Sequence, residues 1–229
     1  VTAAPGVDGI EPGDRVTVRP LIPCRECAAC RAGEVQLCAA GHGQNIGYGS
    51  PGAFAERVLV PRAIAGETIF KLPDAVTDRA GALVEPLAVG LRSARLSAAG
   101  PGDVAVVLGA GTIGLGVARF LKLAGVETLI VAETSAVRRE RARALGADVV
   151  VDPLEQKVSA AVRAITGPGA YGLGARADVV IDCAGAPAAF AEGLKSVRHG
   201  GAFVLTAMYN RRIEVNPDRI TEKELRLRG

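Results

Sequence analysis

The hydrophobic pattern changes character along the chain. Up to about residue 75, apolar residues come in short alternating runs broken by Pro and Gly. EPGDRVTV is a turn at Pro12-Gly13-Asp14 leading into the alternating Arg15-Val16-Thr17-Val18. GSPGAFAERVLVP is a second turn with an extended segment ending at Pro61, and IFKLPDAV repeats the pattern. This predicts a small β-rich domain over residues 1–75. TDRAGALVEPLAVGLRSARLS then brings helical spacing, with Pro86 suited to a first turn, and predicts a connecting helical segment over 76–100. From Pro101-Gly102-Asp103 onward, apolar strands and amphipathic helices alternate. DVAVVLG, TLIVAE, DVVVD, ADVVIDCAG and AFVLTAM read as strands. TIGLGVARFLKLAG, SAVRRERARALGA, EQKVSAAVRAITG and PAAFAEGLKSVRHG read as helices. The result is an α/β domain over 101–229, a doubly wound parallel sheet covered on both faces.

Composition narrows the function classes. The 229 residues are 49% hydrophobic and 22% charged, ordinary for a globular protein with a core. The net charge of +3 and the lack of a basic block beyond pairs such as Arg138-Arg139 argue against a nucleic-acid partner. No apolar run reaches the roughly 18 residues of a membrane span. VTAAPGVDG does not read as a signal peptide, so the expected location is the cytoplasm.

That location bears on four of the five cysteines, Cys24, Cys27, Cys30 and Cys38, spaced C-x2-C-x2-C-x7-C. Disulfides or idle thiols are the alternatives to a metal site. Short spacings strain disulfides inside the cluster, and a cytoplasmic protein uses clustered thiols for metal more often than for disulfides. Four thiolates close around Zn(II) and leave no position for substrate, so the expected metal is structural. Cys183, alone after an apolar run, reads as a buried structural cysteine.

The first strand of the α/β part ends in Gly109-Ala110-Gly111-Thr112-Ile113-Gly114, a G-x-G-x-x-G between a strand and a helix. In this context the glycines predict a dinucleotide site. Gly109 serves the turn, Gly111 the approach of a pyrophosphate and Gly114 helix–strand packing, and the anion meets the helix N-terminus. Glu133 lies nineteen residues beyond Gly114, at the end of TLIVAE. A carboxylate there accepts from ribose hydroxyls and repels a 2′-phosphate, which favours NAD over NADP; Arg138 and Arg139 are the residues that could meet a phosphate instead. Glu85 precedes Pro86 at a helix start and reads, on its own, as a cap or dipole partner.

Taken together, EPGDRV, the cysteine loop, GAFAERVLVP, LVEPLAVGL, GAGTIG and KELRLRG resemble, in order, the zinc-dependent medium-chain alcohol dehydrogenases. LVEPLAVGL resembles their polyol, butanediol and threonine dehydrogenase branch. The resemblance implies a Rossmann domain plus a GroES-like domain whose structural-zinc loop spans 24–38. It implies hydride transfer between a secondary alcohol or polyol and NAD, aided by a second, catalytic zinc. It puts Glu85 in that catalytic-zinc site, as a ligand or a partner of bound water. Thr112 and Ile113 join the cofactor loop, and Arg138 falls at a position contacting the adenosine ribose. It also implies a small-molecule alcohol substrate and a homo-oligomer, dimer or tetramer.

The chain departs from the family in lacking the Gly-His-Glu motif and the earlier cysteine of the catalytic zinc. Its two histidines are His42, after the cysteine loop, and His199, read as a surface residue. The simplest account is a fragment truncated at both ends, with an incomplete GroES-like domain, and the fragment itself is expected to be inactive. The alternatives are a non-catalytic NAD-binding redox sensor with a structural zinc and a zinc-free reductase related to quinone reductases. The cysteine loop and LVEPLAVGL argue against the latter.

Overall fold

The computed structural model describes residues 6–169, 172 and 174–229. The first five residues, on which the reading of the chain start partly rests, lie outside the described residues. The chain divides into two compact units, Val1–Glu85 and Pro86–Gly229.

The first unit is loop-rich. Strands β1 (Val16–Val18) and β2 (Ile69–Lys71) pair antiparallel, Val16 opposite Lys71. Asp14 and Lys71 form an ion pair beside this ladder, at 2.6 Å. The short helix α1 (Ala28–Arg31) lies inside the cysteine loop and is N-capped by the Cys27 sulfur. Helix α2 (Asp78–Gly81) is capped by the Thr77 hydroxyl, which accepts from Ala80 N–H. The extended segment expected after Gly52 forms no ladder through Val60, and Phe54 and Leu59 stand exposed. Apolar alternation marks a segment able to pair; whether a partner strand lies beside it is a tertiary matter.

Helix α3 (Val84–Ser97) leads into the second unit. The connecting helical segment expected over 76–100 holds two helices, α2 and α3, and Pro86 is the third residue of α3, where its missing N–H costs no hydrogen bond.

The second unit holds strands β3 (Val104–Leu108), β4 (Thr128–Ala132), β5 (Val149–Val151), β6 (Ala177–Asp182), β7 (Val197–Leu205) and β8 (Arg226–Arg228). They form one parallel sheet ordered β5-β4-β3-β6-β7-β8, the Rossmann order. Helices α4 (Thr112–Leu123), α5 (Ala136–Ala144), α6 (Val158–Thr166), α7 (Pro187–Ser196) and the short α8 (Asp218–Thr221) complete it. The strands are apolar without alternation because both faces are buried. Ala105 and Val107 of β3 pack with Val117 and Leu121 of α4 on one face. Val106 and Leu108 pack with Val162 of α6 and Phe190 and Leu194 of α7 on the other.

Two boundaries differ from the sequence reading. The helix of PAAFAEGLKSVRHG ends at Ser196, and Val197 already belongs to β7, with His199 exposed on that strand. KELRLRG, which the sequence reading assigned to no element, supplies β8, a sixth strand pairing with Ala202–Val204. Arg-Leu-Arg hides an edge strand because all three residues are exposed and no apolar run is needed.

Candidate functional site: a dinucleotide crevice and a four-cysteine loop

Sheet order places the first candidate site. Between β3 and β6 the winding reverses, and ligands of such sheets lie outside the strand carboxyl ends at that point. The glycine loop is there. Gly109 has φ +91°, a left-handed conformation, and its N–H donates to Ala132 O at 2.7 Å. A Cβ on Gly114 would lie 1.9 Å from the Gly109 carbonyl oxygen, so helix α4 can approach β3 only with glycine there. Gly111 is different. It caps α4 in extended conformation, and a Cβ on it would meet nothing within 4 Å. The space beside Gly111 is open, as a backbone that must admit a pyrophosphate requires. Thr112 and Ile113 begin α4, so their N–H groups belong to the first turn, which has no intrahelical acceptors.

Glu133 follows β4 and is only 7% exposed. Its Oε2 accepts from Ala110 N–H at 2.8 Å. Its Oε1 accepts from Ser135 N–H at 2.9 Å and from the Thr134 hydroxyl at 3.2 Å. The acid therefore shapes the glycine loop, a role its sequence position did not reveal. Burial opposes its charge, but the Ser135 and Ala110 N–H groups, the Thr134 hydroxyl and the Arg138 charge outweigh burial and hold the carboxyl below its ordinary range.

The two arginines of α5 separate. Arg139 is 17% exposed and committed: it pairs with Asp152 at 2.7 Å and donates to the Glu133 and Thr134 carbonyls. Arg138 is 54% exposed, with its guanidinium 4.0 Å from Glu133 Oε2. Arg138 is thus the exposed one of the two, beside the acid.

The second site is the cysteine loop. The sulfurs of Cys24, Cys27, Cys30 and Cys38 all lie within 4.8 Å of one another, and Cys24 and Cys30 are 3.9 Å apart. A tetrahedral zinc with Zn–S bonds of about 2.3 Å holds its sulfurs about 3.8 Å apart, so the four fit such an ion. Backbone N–H groups turn inward toward sulfur: Cys24 N–H to Cys38 Sγ at 3.3 Å, Cys27 N–H to Cys24 Sγ at 3.4 Å, Cys30 N–H to Cys27 Sγ at 3.5 Å. That donor set favours thiolate. The Glu26 and Cys27 N–H groups pull the Cys24 thiol down to about 6, while desolvation pushes Cys30 up to about 12. Arg25, at φ +69°, fastens the loop through Glu67 Oε1 at 3.1 Å and the Arg62 carbonyl at 3.0 Å.

The remaining candidates do not join these groups. His42 is exposed, its Nδ1 3.1 Å from the Cys38 carbonyl oxygen, and it is outside the four-sulfur group. Cys183 is partly exposed as a residue rather than buried, yet desolvation pushes its thiol up to about 12. Glu85 is the exposed second residue of α3 and lines a cavity of about 520 Å³ with Thr17, Val58, Leu72 and Asp78. That cavity has no histidine or cysteine, and among the described residues the four cysteines are the one group arranged for a metal ion.

The second unit and the cysteine-bearing unit each match a family model. Residues 112–229 match the model described as zinc-binding dehydrogenase, and residues 1–74 match the alcohol dehydrogenase GroES-like domain. This chain belongs to the zinc-binding alcohol dehydrogenase family. It is 34% identical over 221 residues to L-threonine 3-dehydrogenase of Pyrococcus abyssi, covering 94% of this chain and 58% of that protein. It is 30% identical over 223 residues to a D-xylulose reductase A of Aspergillus clavatus, covering 97% of this chain and 60% of that protein. A solved structure from Sinorhizobium meliloti 1021, described as a zinc-binding dehydrogenase bound to NADP, is 36% identical. It superposes with a TM-score of 0.84 over 99% of this chain and 64% of its own. The chain thus spans about 60% of the length of the relatives it matches.

Proposed function

We propose that this chain carries the cofactor domain and the structural-metal loop of a zinc-dependent dehydrogenase that moves hydride between a secondary alcohol or polyol and NAD. The observation that carries the reading is the open backbone at Gly111 beside the buried, charged Glu133, on a chain that also gathers four thiols for one metal ion. The first turn of α4 binds the pyrophosphate with the N–H groups of Thr112 and Ile113. Glu133 keeps lone pairs for the adenosine ribose, and Arg138 lies over the same end. The negative charge of Glu133 disfavours a 2′-phosphate, so NAD is the preferred cofactor even though one similar protein was solved with NADP.

Cys24, Cys27, Cys30 and Cys38 would hold a closed zinc that gives the loop its shape and no catalysis. A catalytic zinc, when bound, acts as a Lewis acid on the alcohol oxygen. Glu85 is the residue of this chain assigned to that site, and one carboxylate does not hold the ion. The expected consequence is NAD binding without efficient turnover by these 229 residues. The substrate is a small alcohol, the compartment the cytoplasm and the assembly a homo-oligomer. A second reading, a non-catalytic NAD-binding redox sensor, is favoured by the same isolation of Glu85 among the described residues.

Titration of the chain with NADH and NADPH, followed by fluorescence, tests the cofactor. Tighter NADH binding supports the reading; preferential NADPH binding refutes the role given to Glu133. Turnover of an alcohol with NAD by the chain alone would refute its dependence on further ligands.

A further inference from the structure

The carboxyl end of β6 carries a buried acid that neither the glycine loop nor the cysteine loop uses. Asp182 is fully buried. A carboxylate removed from water needs donors, and this one has three. Oδ1 accepts from Ala184 N–H at 2.8 Å and Gly185 N–H at 3.2 Å, and Oδ2 accepts from the Tyr209 hydroxyl. The Asp182 main-chain carbonyl accepts from Thr206 N–H at 2.9 Å and Ala207 N–H at 3.0 Å. One residue thus ties the turn after β6 to the segment after β7.

The two segments also fit closely. A Cβ on Gly185, at φ +65°, would come within 2.8 Å of the Met208 carbonyl oxygen. The Thr206 hydroxyl donates to the buried Ser93 hydroxyl of α3 at 2.9 Å. The Tyr209 ring stands edge-on to Phe190, which packs on Phe203. Burial and the bond to Asp182 push the Tyr209 hydroxyl well above its ordinary range, so it remains a donor near neutrality. On this braced segment, Met208 is 88% exposed.

Position supplies the function. β6 is the neighbour of β3 across the reversal point, and β7 is next to it. A dinucleotide on such a sheet lays one mononucleotide over each half. Glu133 marks the adenosine half, at the end of β4. The other half then lies over the carboxyl ends of β6 and β7, where Asp182 and Tyr209 join the loops. We propose that the Asp182–Tyr209 pair is a positioning device for the nicotinamide half of the cofactor, acting by fixing the loops that form its floor. This rests on the NAD reading given above.

The test compares NADH with ADP-ribose, which keeps the adenosine, pyrophosphate and second ribose but lacks the nicotinamide. Wild type, Tyr209→Phe and Asp182→Asn are titrated with both, and the emission maximum of bound NADH is recorded. Folding of each variant is checked by circular dichroism. Losing a hydrogen bond to a charged group is worth roughly tenfold. Tyr209→Phe is therefore expected to weaken NADH roughly tenfold and shift its emission to longer wavelength, with ADP-ribose unchanged. Asp182→Asn should show the same selectivity, since its amide keeps an acceptor for only part of the network, and it serves as the second variant should one fold poorly. Equal weakening of both ligands, or a lower melting temperature with neither affinity nor emission changed, would overturn the positioning role alone. A wild-type chain that binds neither ligand overturns the NAD reading and this inference with it.

Discussion

Replacing Glu133 by Gln isolates the charge and acceptor count of one side chain at nearly constant shape. The carboxylate accepts from Ala110 N–H with one oxygen and from Ser135 N–H with the other. Glutamine has one oxygen and one NH2, so one of those N–H groups must face a donor; the Thr134 hydroxyl can rotate and accept. Whichever N–H loses its acceptor does so beside a side chain only 7% exposed, and an orphaned buried donor costs about 1–3 kcal/mol. The remaining bond loses its charge assistance, which brings the expected loss to about 2–3 kcal/mol. For a domain of this size each kcal/mol lowers the melting temperature by roughly 2–4 °C, so Glu133→Gln should melt roughly 5–10 °C lower near pH 7.

The pH dependence sharpens that prediction. The folded carboxyl is held below its ordinary value of 4.5. Its contribution is therefore present above that value and is lost as pH falls through the lower folded pKa. The gap between wild type and Glu133→Gln should be widest at neutral pH and close under acid. Thermal melts by circular dichroism between pH 7 and pH 3 measure it. Equal melting temperatures at pH 7, or a gap that does not narrow at all as pH falls below 4.5, would refute the assignment of charge and acceptors to this site.

The remaining predictions concern the glycines, the thiols and Glu85. Gly111→Ala should melt like wild type yet lose NADH binding, because its Cβ meets only the open crevice; Gly114→Ala should melt lower, because its Cβ would lie 1.9 Å from the Gly109 carbonyl oxygen. Elemental analysis should find about one zinc per chain. After chelation, a thiol reagent under native conditions should count the four loop cysteines, with Cys183 reacting only on unfolding; five fast thiols would contradict its desolvation. Glu85→Gln should leave zinc content and NADH affinity unchanged, and a fall in zinc content would show that Glu85 already holds metal in this chain.

The sequence by itself determined the two-part organisation, the strand–helix alternation, the glycine loop and the four thiols. Each of these is a local signal. Uninterrupted apolar runs such as VAVVL mark strands buried on both faces, and Cys24 to Cys38 lie close in the chain before anything folds. Tertiary structure decided what depends on who stands beside whom. Arg138 and Arg139 are neighbours in sequence, yet only the fold sends one to Asp152 and leaves the other exposed. Glu133 shows in the sequence as an acid at the end of a strand, but its grip on Ala110 requires β4 and β3 to be adjacent. Asp182 shows in VVIDCAG only as an acid in an apolar run, and its partner Tyr209 lies 27 residues away. Arg226–Arg228 carry no apolar signal and become a strand because β7 offers an open edge. Backbone preference and short spacing are written in neighbouring residues; the pairing of a buried charge is written only in the packing that removes it from water.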